Sequence, residues 1–178
     1  MTNHHGQVIA VAPYGAPELH ESVWLAPGAI VVGNVTIGRD SSIWYNAVVR
    51  GDSEAVRIGE RTNAQDGVVI HTFRGQPTVI GNDVSMGHNA VVHGATVEDG
   101  CLIGMSATVL NRAVVGEGSL VAAGAVVPQD MVIPPHSLVA GVPARVVREL
   151  REEDREAVRV NSEAYLGYTD NHRAATAR

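Results

Sequence analysis

The chain has 178 residues, 45% of them hydrophobic, which is enough for one domain with a sizeable core. Only 4% are aromatic, so Val, Ile, Leu and Ala must build that core, and a formal charge of −6 argues against a nucleic-acid partner. A single cysteine, Cys101, excludes an internal disulfide framework and points to a reducing, cytoplasmic setting, and no apolar run approaches the ~20 residues that cross a bilayer.

The N-terminal segment, 1–18, lacks the basic stretch and long apolar run of a signal peptide. Its short apolar pieces are broken by Pro13, Gly15 and Pro17, and they predict one strand laid over the end of the core. His4 and His5 read as solvated terminal histidines. A six-residue register then begins. Its first positions are Leu19, Leu25 and Val31, then Ile37, Ile43 and Val49. Extra residues intervene before Ile58, Ala64 and Ile70, and an insertion at about 72–79 precedes Ile80, Met86 and Val92. One residue is skipped, and the register runs on through Val97, Ile103, Val109, Val115, Val121, Val127, Ile133 and Val139. The fifth positions are small or short: Ala29, Val35, Ser41, Ala47, Val68, Cys101, Ala107, Ala113, Ser119 and Ala125.

An amphipathic helix repeats near 3.6 residues, which a strict six does not give. The period and the β-branched content instead predict an all-β solenoid over 19–144, a three-sided prism with one hexad per side and coils stacked ~4.8 Å apart. First positions point inward, and the small fifth residue fits near the bend. Cys101, Met86 and Met105 read as packing residues. After Pro143 the texture turns charged and Gly-free as far as Gly167, which predicts a C-terminal region, 145–178, with an α-helix at about 150–166 and a loose tail after Tyr168.

Polar residues placed on this prism suggest a metal site. Arg50, His71 and His93 are second positions of third hexads and form one column. His88 is the third position of a second hexad, in a column with Asp66 and beside Gln65, near a different edge. One chain cannot easily bring His88 to the other two, but three chains around a threefold axis can, so the prediction is a homotrimer with three shared sites. Three imidazoles with a fourth position open are the pattern of catalytic Zn2+, and such a set also accepts Fe2+ or Co2+. Such a metal supplies hydroxide at neutral pH, and CO2 is the smallest of its natural electrophiles.

The hexad pattern resembles the left-handed parallel β-helix of the hexapeptide-repeat family, and the left hand comes from that resemblance alone. The segments VVRGD at 48–52, TNAQDGVVIH at 62–71, SMGHNAVVHG at 85–94, CLIGMSATVL at 101–110 and AGVPARVVREL at 140–150 further resemble the gamma-class carbonic anhydrases. The resemblance implies reversible hydration of CO2 to bicarbonate, with His71, His88 and His93 as metal ligands drawn from two subunits. It implies that Gln65 hydrogen-bonds the metal-bound water or bicarbonate, and that Arg50 and Asp66 form interface ion pairs. Asp52 and Asn63 fall on the same motifs. Two departures stand out. Ser53 replaces a glutamate of the archetype, and the short loop 72–78 carries Arg74 where the archetype has a proton-shuttling acid, with Glu54 the nearest acid in sequence. Tyr165, on the predicted helix, either reaches the metal pocket of a neighbouring chain or packs as an aromatic on the prism. Competing readings are hydrolysis of a thioester or other small acyl substrate, acyl transfer, and a non-catalytic metal-binding assembly protein.

Overall fold

The structure is a computed structural model that describes residues 5–176, so His4 lies outside the described residues. Three parallel ladders form the three faces of a prism. On the first face the rungs run Leu19, Ile37, Ile58, Ile80, Val97, Val115 and Ile133. On the second they run Leu25, Ile43, Ala64, Met86, Ile103, Val121 and Val139. On the third they run Val8, Val31, Val49, Ile70, Val92, Val109 and Val127. Gln7–Ile9 is thus the strand that starts the third face. Every first-position side chain from Leu25 to Val139 is buried, and so is every fifth-position one named above. Met105 departs from the packing expectation: it follows a buried rung, Ile103, by two residues and is exposed.

The bend itself falls on the fourth position. Asp40, Asn46, Arg61, Asp83, Asn89, Ser106, Arg112, Asp130 and His136 all have positive φ, as do Gly28, Gly67, Gly100, Gly118 and Gly124 at equivalent places. The left-handed conformation suits Gly, and Asn or Asp bear it best among the rest. All the breaks in the hexad register fall at one corner, where the third face turns into the first. There the long strand Val48–Ile58 absorbs the extra residues, and the insertion 72–79 forms a loop closed by a Phe73–Gln76 bridge.

The strand Ala144–Glu149 pairs antiparallel with Ser137–Gly141 and ends the second-face ladder. The helix then runs Glu152–Thr176, about ten residues beyond the expected end, so the segment predicted to be loose is helical. Its first turn is acidic, which suits the positive end of the helix dipole. Asp154 accepts the Arg151 N–H at 2.8 Å and pairs with Arg148, which satisfies a free donor at the helix start. The helix lies along its own prism and buries Val158, Ser162 and Thr169. Trp24, Ala26 and Trp44 form its seat, with Tyr45 and Tyr165 packed on them. Tyr165 and His172 each meet Trp44 edge-on at 5.1 and 4.9 Å, and the Tyr45 hydroxyl lies 2.8 Å from His172 Nδ1. This seat holds the helix against the second face. No described helix is long and apolar enough to cross a membrane.

Candidate metal centre

Two corners flank the third face, and each carries part of the predicted site. At the third-to-first corner, His71 and His93 are ladder partners on adjacent coils. Their Nδ1 and Nε2 atoms face each other at 3.1 Å. Asp52, carried past the corner by the extra residues, places Oδ1 2.9 Å from His71 Nε2 and pairs with Arg50 through Oδ2. Asn111 places Oδ1 2.6 Å from His93 Nδ1. Burial works against the Asp52 charge, but the hydrogen bonds from Arg50 and His71 outweigh it and hold its carboxyl below the usual range.

These contacts decide the fit of a metal. An ionised carboxylate and an amide oxygen only accept hydrogen bonds. With both rings neutral, the ring protons therefore sit on His71 Nε2 and His93 Nδ1, and two lone pairs face each other. That arrangement is repulsive between neutral rings and is relieved by a cation. Two nitrogens bound at ~2.0–2.1 Å to one tetrahedral ion stand about 3.3 Å apart, close to the separation found here. A histidine whose outer nitrogen is tied to an oxygen is the usual state of a metal ligand.

At the second-to-third corner, His88 precedes the left-handed Asn89. Its Nδ1 is 2.9 Å from Asp66 Oδ2, which leaves Nε2 free in the same way. Gln65 is buried and donates to Asn63 Oδ1 at 3.2 Å, and Asn63 donates to Ser85 Oγ at 2.7 Å. This chain of amides fixes the orientation of Gln65. Gln65, His88, Leu102, Leu120, Asn161 and Tyr165 line a slot of about 300 Å3 between the prism and the helix. Burial, then the charge of Asp66, raises the Tyr165 hydroxyl above its ordinary pKa.

Within one chain, among the described residues, no three His, Cys, Asp or Glu side chains are arranged to hold a metal. The structure brings His71, His93, Arg50 and Asp52 together at one corner. It brings His88, Asp66, Gln65, Asn63 and Tyr165 together at the other. Tyr165 stands beside His88 and Gln65 of its own chain and packs on Trp44, because the helix seats on its own second face. The Glu54 carboxylate accepts the Gly75 N–H at 2.9 Å and anchors the short loop. Ser53 bonds Thr72 at 2.7 Å in the same clamp. Asn111 escaped the column count because it sits one residue beyond the position that aligns with His93. Asn161 gave no sequence signal at all.

This is the architecture of the hexapeptide-repeat left-handed β-helices. The family described as bacterial transferase hexapeptide (six repeats) matches residues 16–51 and 94–129. A hexapeptide transferase family protein from Anaplasma phagocytophilum has a TM-score of 0.88 at 35% identity, over 92% of this chain and 96% of that one. A Methanocaldococcus jannaschii protein named "Probable carbonic anhydrase" is 54% identical over 83% of this chain and 93% of its own length. Gamma carbonic anhydrase 1 of Arabidopsis thaliana is 41% identical over 92% of this chain and 62% of its own. The chain belongs to the gamma carbonic anhydrase family.

Proposed function

We propose that the protein is a carbonate dehydratase, hydrating CO2 reversibly to bicarbonate at a divalent ion shared between chains of a homotrimer. The ion is zinc, with iron(II) or cobalt(II) compatible with the same donors. His71 and His93 of one chain and His88 of the next hold it. The observation that carries this reading is the His71–His93 pair, two lone pairs 3.1 Å apart with both outer nitrogens tied down. Bound there, the ion supplies a Lewis acid that brings hydroxide within reach at neutral pH.

The chain's own residues do the rest. Asp52 and Asp66 anchor His71 and His88, and Arg50 offsets the Asp52 charge. Gln65, held by Asn63, presents its amide beside His88 to orient a small oxygen-bearing substrate. Tyr165 closes the wall next to it. The trimer reading draws support from the third face. Ile30, Val48, Val91 and Val126 point outward there half-buried and Val69 exposed, with Thr108 the polar member of the row, between the two proposed half-sites. A face so apolar is suited to burial around a threefold axis. A cytoplasmic setting fits the single cysteine, whose thiol burial pushes up to about 12 and renders inert.

A complementation experiment tests the shared site. His88→Ala and the double variant His71→Ala/His93→Ala each lose CO2 hydration and bound metal. Unfolded together and reassembled in equal amounts, they regain about a quarter of the wild-type sites. Three-quarters of random trimers are mixed, and a closed heterologous ring then completes about one site in three. No recovery in mixed trimers defeats the shared-site reading.

The slot beside His88 favours a second reading, hydrolysis of a thioester or other small acyl substrate at the same ion. At about 300 Å3 it reaches the range of small-molecule pockets and is far roomier than CO2 requires. A panel of acyl thioesters tests this, with Leu120→Trp as the control that fills the slot. Thioester hydrolysis lost in that variant while CO2 hydration persists is the expected pattern, and no turnover of any thioester by the wild type removes this reading.

A further inference from the structure

We infer that Asn111 is the positioning residue of His93, setting the tautomer and ring plane through which this ligand meets the ion. The inference rests on the metal reading above.

The contact is short, 2.6 Å from Asn111 Oδ1 to His93 Nδ1, and comes from the next coil of the same chain. Its geometry is enforced from both sides. The hexad that starts at Val92 is one residue short, so the chain turns at Gly94 directly after His93, while Val92 and Val109 stay in register and set Asn111 on the next coil beside the ring. Gly94, the intervening corner residue, has φ of 57°, and a Cβ there would lie 3.1 Å from Asn111 Oδ1 and 3.2 Å from Phe73 Cβ. Glycine thus keeps the approach clear. The Arg112 N–H donates to the Gly94 carbonyl at 2.7 Å, and the Asp130 N–H donates to the Asn111 carbonyl at 3.0 Å. The Asn111 backbone is therefore fixed on both flanks, and its side chain has one natural target.

The other two histidines are anchored differently. His71 and His88 each lean on a carboxylate, Asp52 and Asp66. His93 alone leans on a neutral amide. An amide oxygen fixes the imidazole proton on Nδ1 as a carboxylate does, but lends the ring less basicity. A carboxylate at this place would strengthen the ligand, whereas an apolar side chain of the same size would free the ring to rotate and to exchange tautomers. Removing such an outer partner ordinarily costs about 10–100-fold in metal affinity.

The test uses the full chain and its affinity for Zn2+, measured by competition with a chelator, together with the visible spectrum of the Co2+-loaded protein. Asn111→Leu is expected to weaken Zn2+ binding by about 10–100-fold and to alter the Co2+ spectrum. Asn111→Asp is expected to bind at least as tightly as the wild type. A Leu variant within twofold of the wild type overturns the inference, as does an Asp variant weakened tenfold or more. The second arm decides if the Leu variant fails to assemble. A wild-type chain that binds no Zn2+ is a different outcome and sinks the metal reading itself.

Discussion

The two corners that flank the third face reach order by different routes. At the third-to-first corner the ladder aligns the proposed ligands: His71 and His93 are register partners, and Asp52 and Asn111 reach them from adjacent coils. The His71 side chain is 20% exposed, and its half-site is finished within one chain. At the second-to-third corner the ladder supplies Gln65, Asp66 and His88, but the wall that encloses them comes from the helix, through Asn161 and Tyr165. His88 remains 41% exposed. A solenoid can thus align the histidines of half of the proposed site by repetition, with breaks in the register bringing up their outer partners. The other half needs an element that repetition does not encode.

Beyond the complete loss expected of the histidine variants, the largest effect that separates the corners is at the helix seat. Trp44 is buried under Tyr165 and His172, and its Nε1–H donates to Ser42 Oγ at 3.0 Å. Trp44→Ala is expected to cost about 3–5 kcal/mol, as large-to-small changes of buried aromatics do. Limited proteolysis should then cut within 152–176 far faster than in the wild type, while the prism resists. CO2 hydration should fall through the Tyr165 wall, with Zn2+ still bound. Equal proteolytic rates in the two proteins would show that the helix does not depend on this seat, and the contrast between the corners would lose its basis.

Legibility in the sequence follows the same divide. The hexad register placed the inward first positions from Leu25 to Val139, because a buried period of six leaves little freedom, but not Trp44, Val56 or Ala95, which are buried off the count. It also placed His71 and His93 in one column and His88 in another, since columns are a consequence of counting. What counting could not reach was set by departures from the count. Asp52 meets His71 because extra residues carry it past the corner, and Asn111 meets His93 where the hexad that holds His93 is one residue short. The left-handed fourth position was written in Asn, Asp and Gly at regular spacing, yet the small fifth residue drew the bend one place too far. Nothing in the helix sequence says which prism it covers, so counting leaves Tyr165 either at a neighbour's pocket or packed on its own prism. The Trp24–Trp44–Tyr45 seat settles that, and it becomes visible only when three coils are stacked.

The smallest effect concerns the start of the helix. Asp154 is held at about 2, below its ordinary 3.8, chiefly by the hydrogen bond from Arg148 and then by the Arg151 N–H. A carboxylate whose folded pKa is depressed contributes stability at pH above its unfolded pKa. That contribution is lost as pH falls from about 4 towards 2. In metal-free protein, acid titration followed by helical circular dichroism should therefore show the helix loosening in this window. Asp154→Asn removes the charge at every pH, so the variant should start less stable and change little across the same window. The charge faces the arginine in water, so the difference is modest, a shift of a few degrees in the helix's melting. If wild type and variant titrate in parallel, the helix is not pinned at its N-terminus, and the aromatic seat alone holds the outer wall of the His88 corner.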